Sequence, residues 1–104
     1  MIYLLSKGEI IPGKMAELYE IVNKELVPLY PKLGLKLMGS FHAYTGNMNE
    51  VYAMYAFDEF AAYQKSREAQ QKDKDFQRVI AKLNAVRVSE TSTILEPNPW
   101  SPMK

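Results

Sequence analysis

The stretch Leu35–Phe57, LKLMGSFHAYTGNMNEVYAMYAF, decides the fold. Its two halves, residues 35–45 and 50–57, are rich in the apolar and aromatic residues that are typical of β-strands. The halves are separated by Gly46-Asn47-Met48-Asn49, and both Gly and Asn tolerate the backbone angles that tight hairpin turns require. The stretch therefore predicts a β-hairpin made of the second and third strands of the chain.

The register of this hairpin decides which side chains share a face. A turn of two or four residues pairs Tyr44 with Val51, His42 with Ala53, Ser40 with Tyr55 and Met38 with Phe57. One face then carries Met38, Ser40, His42, Tyr44, Tyr55 and Phe57. The other face carries Leu37, Gly39, Phe41, Ala43, Tyr52 and Met54. Neither face is strongly polar, although a turn of odd length would change these partners.

A strand and a helix are predicted before the hairpin. Residues 2–10 begin with an apolar run that suggests a strand covered on both sides. Pro12-Gly13 breaks this strand, and a helix is predicted over residues 14–30. Its apolar stripe is Met15, Leu18, Tyr19, Val22, Leu26 and Leu29. Pro28 removes a backbone donor from the last turn, and Pro31 and Gly34 are expected to end the helix.

Two helical pieces, a strand and a tail are predicted after the hairpin. Asp58 is the expected N-cap of a helix that runs to about residue 70, with Phe60 and Tyr63 as its apolar anchors. Asp73 is expected to cap a second piece, whose stripe is Phe76, Val79, Ile80 and Leu83. Residues 86–95 contain the β-branched residues of a last strand. The proline-rich tail, residues 97–104, is expected to be irregular, and its Trp100 suggests docking onto another surface.

The predicted order of elements is β-α-β-β-α-β, which is the ferredoxin-like plan of the α+β class. The 104 residues fit a single domain, residues 1–104, with a four-stranded antiparallel sheet and helices on one face. Large apolar groups on both faces of the hairpin make the second sheet face a predicted binding surface. A second copy that presents the same face is the simplest partner, so a homodimer is expected.

The composition argues against several other partners. Lys and Arg number 13 against 12 Asp and Glu, and no basic stripe typical of nucleic-acid binding is visible. The absence of Cys excludes disulfides and thiolate metal sites. Because no apolar run approaches the roughly 20 residues that cross a bilayer, no membrane partner is predicted and the expected location is cytoplasmic.

Several features together resemble the NIPSNAP family. They are Tyr3 and Leu5, Pro12-Gly13, the stretch from Gly46 to Phe57, and the ending Glu90–Pro102 with its aromatic residue among prolines. The resemblance extends over nearly the whole chain and implies a dimeric α/β barrel, in which two ferredoxin-like subunits pack sheet against sheet. Relatives in this wider fold include cofactor-free monooxygenases, haem-degrading enzymes and lactone isomerases, whereas the family itself has no agreed activity. The family often has Arg at the position of Ser6, an aromatic residue at Gly8 and Trp at Tyr55.

His42 is the candidate catalytic residue, because it is the only histidine and imidazole exchanges protons readily near neutral pH. In the predicted register it shares a face with Ser40, Tyr44 and Tyr55, which are the candidate ligand-binding residues for a small aromatic or carbonyl compound. A structural histidine in the core or in an interface is the commoner role for such a residue. Most of the tyrosines are likewise expected to pack in the interface.

Two classes of function stay open. One histidine without Cys or a carboxylate cluster predicts no metal site, and no cofactor is expected. The first class is a small-molecule enzyme of the cofactor-free monooxygenase or isomerase kind, with a pocket between the sheet and the helices. The second is a non-catalytic dimeric binding or interaction module. A cavity that reaches His42 or Tyr55 favours the first class, and a solidly packed interior favours the second.

Overall fold

The computed structural model describes residues 1–104 and confirms the predicted order of elements. The strands pair in the order β2-β3-β1-β4, and every pair is antiparallel, as in a ferredoxin-like sheet. No helix is both long enough and apolar enough to span a membrane. The elements are β1 (Ile2–Ile10), α1 (Met15–Ile21), α2 (Tyr30–Leu33), β2 (Lys36–His42), β3 (Glu50–Phe57), α3 (Phe60–Lys72), α4 (Lys74–Asn84) and β4 (Arg87–Leu95).

The first helical segment is not one uniform helix. Between α1 and α2 the backbone forms a π turn, Val22–Leu26, and then a 3-10 turn, Val27–Leu29. Pro28 lies in the 3-10 turn, where its missing N–H is accommodated by the change of hydrogen-bond pattern. The expectation that Pro31 ends the helix is wrong, because Pro31 lies in the first turn of α2. Gly34 ends the segment as predicted, in a left-handed conformation with φ 68°.

The predicted hairpin register is wrong by two residues. His42 pairs with Val51, Phe41 with Tyr52, and Ser40 with Ala53. The connection is longer than a tight turn and includes residues 43–49, with Gly46 at φ 81° and the Asn49 N–H bonded to Asn47 Oδ1 at 3.0 Å. Tyr44 therefore lies in the connection and not on a strand.

A bulge in β2 changes the predicted faces of Leu37 and Met38. Leu37 pairs with Tyr55 and Gly39 with Met54, so Met38 is left out of the pairing. Leu37 thereby joins the face of Tyr55, which the prediction had given to Met38. Gly39 allows this geometry, because a Cβ atom there would lie 2.7 Å from the ring of Phe41.

The hydrophobic core lies between one face of the sheet and the helices. Strand residues Ile10, Val51 and Tyr55 pack there against α1, the π turn and α4, and the face they share is called the inner face. The fully or nearly buried members are Ile10, Leu18, Ile21, Leu26, Tyr30, Val79, Leu83 and Val86. Each such side chain stabilises the fold by about 1.5–3 kcal/mol.

The two later helices differ in how they begin and in what they bury. Asp73 caps α4 as predicted, because its carboxylate accepts from the Phe76 N–H at 2.8 Å. The prediction that Asp58 caps α3 is wrong: the N-cap residue is Glu59, and it makes no side-chain cap bond. The inward residues of α3 are polar. Ser66 Oγ donates to the Leu33 carbonyl at 2.7 Å and accepts from Gln70 Nε2 at 3.1 Å, which ties α3 to the end of α2.

The opposite, outer face of the sheet carries Tyr3, Leu5, Gly39, Phe41, Tyr52, Met54 and Leu95, as strand alternation requires. The tail, residues 97–104, returns to this face, where the Tyr3 hydroxyl donates to the Lys104 carbonyl at 2.5 Å. Phe41 is 60% exposed and Trp100 81% exposed. The tail therefore covers Tyr3, which is 6% exposed, whereas Phe41 and Leu95 of the outer face stay exposed in the single chain.

Candidate functional site

Two adjoining cavities lie between the inner face of the sheet and the helices. Their volumes are about 480 and about 420 Å³, which falls within the range of roughly 300–1,000 Å³ that is usual for small-molecule sites. The two cavities meet at a common wall that includes Ser6, Leu26, Tyr30, Tyr55, Leu83, Arg87 and Glu90.

The cavities exist because a row of small side chains crosses the sheet. Ser40 pairs with Ala53, Ala53 with Ser6, and Ser6 with Ser92, so one small residue from each strand lies side by side on the inner face. This small-residue row forms part of the floor of the two cavities. Gly8, the next residue of β1 on the inner face after Ser6, also lines the larger cavity. Side chains of this size leave open the space that leucine or valine would fill.

The opposite wall comes from the first helical segment. Leu18, Val22 and Leu26 belong to its predicted apolar stripe, and all three line the larger cavity. The stripe continues through the π turn, which is a conformation that is frequent at functional sites. The lining of the larger cavity is therefore mostly apolar, whereas half of the residues that line the smaller cavity are polar, among them Arg67, Gln70 and Gln77.

Two phenols occupy the common wall. The hydroxyls of Tyr30 and Tyr55 lie 2.8 Å apart, and their rings meet edge to face at a centroid distance of 5.5 Å. Burial raises the pKa of Tyr55 far above its usual value, and the neighbouring Tyr30 raises it further. Burial also raises the pKa of Tyr30, against the opposing effect of its hydrogen bond to Tyr55. Both phenols are therefore neutral at physiological pH.

An ion pair completes the common wall. Arg87 Nη1 donates to the Glu90 carboxylate, while Nε and Nη2 donate to Asn84 Oδ1 at 3.2 and 2.9 Å. These three bonds hold the guanidinium in one orientation, and its side chain is only 16% exposed. The two charges cancel, so the pair adds polarity to the common wall without adding net charge.

His42 lies at the open end of the larger cavity. It ends β2 at the edge of the sheet, and its ring faces Tyr19 of α1 at a centroid distance of 6.5 Å. Its side chain is exposed and makes no hydrogen bond within the chain. His42 and Tyr19, which is 48% exposed, are thus two solvent-exposed side chains of the cavity lining.

Three of the four predicted site residues come together. Ser40, His42 and Tyr55 all line the larger cavity. Tyr44 is 88% exposed in the connection and is not part of either cavity wall. No three His, Asp or Glu side chains are grouped in a way that would hold a metal ion.

Sequence reasoning missed Ser6, Tyr30, Arg87 and Glu90. The periodicity does not assign Tyr30 to the apolar stripe, because Tyr30 lies one residue after the last stripe position. It also lies between Pro28 and Pro31, which interrupt the helical pattern. Glu90 could be found only from the pairing of β1 with β4, which places it opposite Gly8 on the inner face. Strand alternation then puts it on the same face as Ser6.

Comparisons with known proteins give a consistent result. The model of the family described as NIPSNAP matches residues 3–102. A crystal structure of a NIPSNAP family protein from Agrobacterium tumefaciens is 24% identical, with 99% of this chain and 98% of that chain covered and a TM-score of 0.90. An uncharacterised NIPSNAP domain protein from Burkholderia xenovorans is 22% identical, with 98% and 99% covered and a TM-score of 0.89.

A more distant likeness is to an antibiotic biosynthesis monooxygenase, which is 16% identical, with 95% of this chain and 100% of that chain covered and a TM-score of 0.71. No curated protein matches the sequence. At these identities the structural likenesses establish the fold and do not by themselves assign an activity.

Proposed function

This chain belongs to the NIPSNAP family, and from that premise we propose that it binds a small organic molecule between its sheet and its helices. The observation that carries the proposal is the small-residue row, Ser40, Ala53, Ser6 and Ser92, which keeps the sheet-helix space open across all four strands. A domain whose interior served only stability would gain from larger side chains at these positions.

The lining of the cavities supports the same proposal. A small-molecule site is typically apolar with a few polar groups that orient the ligand. Here the apolar wall of α1 and the π turn faces the hydroxyls of Ser6, Tyr30 and Tyr55 and the Arg87–Glu90 pair. An aromatic or carbonyl compound satisfies both kinds of surface, because its ring packs on the apolar wall while its oxygen meets the hydroxyls.

The proposed chemistry is that of a cofactor-free monooxygenase or isomerase, with His42 as the residue that moves a proton at the mouth of the cavity. The fold-level likeness to an antibiotic biosynthesis monooxygenase supports this choice. A variant with His42→Ala is expected to keep ligand binding and lose turnover. Normal turnover by that variant would exclude His42 as the proton carrier.

A second function, a non-catalytic binding module, is favoured by one specific observation. A general base is usually oriented by a partner group, whereas the His42 side chain makes no hydrogen bond in this subunit. If bound compounds are returned unchanged by both the native protein and His42→Ala, the binding module is the correct assignment.

Ligand binding is tested by filling the cavity floor. Ala53→Leu places a larger side chain in the middle of the small-residue row, and Ala61→Leu makes the same change at an exposed position of α3. We expect compounds that bind the native protein in ligand-observed NMR to bind Ala53→Leu about tenfold more weakly or worse, and Ala61→Leu normally. A tenfold loss corresponds to about 1.4 kcal/mol. Equal affinity for all three proteins would refute the proposed site.

We further propose that a second copy of the chain covers the outer face and completes a dimeric α/β barrel. Phe41 and Leu95 lie on this face, Trp100 lies in the tail that folds back to it, and all three are exposed in one chain. Apolar exposure of this extent is typical of an interface, and a two-fold partner buries the same residues on both sides.

The dimer is tested by light scattering at micromolar concentration. The native protein is expected to show twice the subunit mass of 11.9 kDa. Phe41→Lys places a charge in the interface and is expected to give a monomer. Phe60→Lys is the matched control, since Phe60 is 52% exposed at the start of α3. A monomer mass for the native protein would refute the proposed dimer.

A further inference from the structure

The two hydroxyls in the common wall, those of Tyr30 and Tyr55, have two O–H donors between them but make only one hydrogen bond. Each phenol carries a single O–H. Tyr30 and Tyr55 share one hydrogen bond of 2.8 Å, and neither hydroxyl has another partner in the chain. Whichever phenol donates, the other keeps an O–H with no acceptor in the protein. That free O–H lies where the two cavities meet.

The protonation of the pair suits it to donate. Burial raises the pKa of both Tyr30 and Tyr55, so both hydroxyls keep their protons at neutral pH. The phenol that donates also polarises the one that accepts, which makes the free O–H a stronger donor than an isolated tyrosine. Negative charge on a ligand oxygen would thus be spread over two hydroxyls in series.

The charged groups around the pair permit such an oxygen. The charged side chains that line the smaller cavity are Arg67, Arg87 and Glu90, two cations against one anion. Arg67 Nη1 donates to Gln70 Oε1 at 3.2 Å, a neutral partner, so its charge is not cancelled there. The Glu90 carboxylate raises the pKa of Tyr55, but it is paired with Arg87, so Arg67 leaves the lining of the smaller cavity with a net positive charge. A preorganised hydrogen-bond donor beside such a lining can stabilise an oxyanion.

We propose that the Tyr30–Tyr55 pair is an oxyanion-binding site, and that the ligand is a conjugated compound whose oxygen can take up negative charge, such as a phenol or an enolisable ketone. This inference rests on the proposed function, because it assigns the chemical class of ligand for the same cavities. It gives the two phenols one role, which is to hold the ligand oxygen as its charge increases.

The test compares 4-nitrophenol with nitrobenzene, which has a similar shape and lacks the hydroxyl. The native protein is expected to bind 4-nitrophenol about tenfold more tightly, and the absorbance of the bound compound is expected to shift toward that of the phenolate at a pH where the free compound is largely protonated. The double variant Tyr30→Phe/Tyr55→Phe is expected to lose both the preference and the shift while binding nitrobenzene as before.

The single variants Tyr30→Phe and Tyr55→Phe are expected to give intermediate preferences, because one phenol still donates, and they serve if the double variant does not fold. Tyr63→Phe is the matched control, since Tyr63 lines neither cavity. Retention of the full preference by the phenylalanine variants, with nitrobenzene still bound, would overturn this inference and leave the proposed function standing. Failure of the native protein to bind either compound would overturn both.

Discussion

Ala53→Leu, the substitution that fills the cavity floor, also makes a quantitative prediction about stability. Ala53 sits between Ser6 and Ser40 on the inner face and lines the cavity of about 480 Å³. Leucine adds three carbon atoms, and each buried methylene stabilises a protein by about 0.8 kcal/mol, which sums to roughly 2.4 kcal/mol. Restricting the leucine side chain costs about 0.5–1 kcal/mol.

The expected net effect is therefore a stabilisation of about 1.5 kcal/mol, because the space is already open and the new side chain displaces no neighbour. For a domain of this size that corresponds to a rise in Tm of roughly 6 °C or more. Thermal and urea unfolding, followed by circular dichroism, measure the change. The control Ala61→Leu is expected to stay within about 0.5 kcal/mol of the native protein, as exposed substitutions usually do.

The opposite result would refute the reasoning. Overfilling a packed interior costs about 1–3 kcal/mol, so a destabilisation of that size would mean that the floor of the cavity is closed by its neighbours. Stabilisation together with weaker ligand binding would show that the small-residue row trades stability for an open site, as functional sites commonly do.

Three further predictions concern the frame around the site. Lys32 lowers the pKa of Asp73 below its usual value of 3.8, and the Phe76 N–H adds to this effect. The stability that Asp73 contributes is therefore present above pH 3.8 and is lost as the pH falls below it. The urea midpoint of Asp73→Asn is expected to lie below that of the native protein near neutral pH, and the two midpoints are expected to converge in acid. Gly34→Ala is expected to cost about 1–2 kcal/mol in urea unfolding, because Gly34 has φ 68° and the nearest atom to an added Cβ is 4.0 Å away, so the cost is conformational and not steric; an unchanged midpoint would contradict it. Gly39→Ala is expected to displace the exposed ring of Phe41, which lies 2.7 Å from the added Cβ. The proposed dimer should then dissociate more readily in sedimentation experiments, while the Tm changes little. A lowered Tm with unchanged dimer dissociation would place Phe41 outside the interface.

Local signals in the chain account for the parts of the fold that were predicted correctly. Asp73 lies three residues before the N–H that it caps, and Gly34 adopts the left-handed angle that ends a helix. The apolar stripe from Leu18 to Leu26 identifies one wall of the cavities before any tertiary contact is considered. Each of these features depends on neighbours within a few residues, so periodicity and residue type are sufficient to find it.

The register of the β2-β3 hairpin could not be predicted from local sequence signals. Gly46 and Asn47 indicate a turn, but the length of the connection depends on how Ser40 and Phe41 pair with β3, and that pairing differs from the tight-turn register by two residues. The bulge beside Gly39 then moved Leu37 onto the inner face. As a result Ser40, His42 and Tyr55 line one cavity, whereas Tyr44 does not.

The amino-acid sequence by itself was enough to predict the ferredoxin-like order of elements, because strand and helix periodicities depend on residues close together in the chain. It was also enough to identify the resemblance to the NIPSNAP family. The features that make a site required the tertiary structure. The small-residue row takes one residue from each of four strands, and the Tyr30–Tyr55 bond joins residues 25 positions apart. Both arise from strand pairing and from packing of a helix on a sheet, which no window of consecutive residues contains.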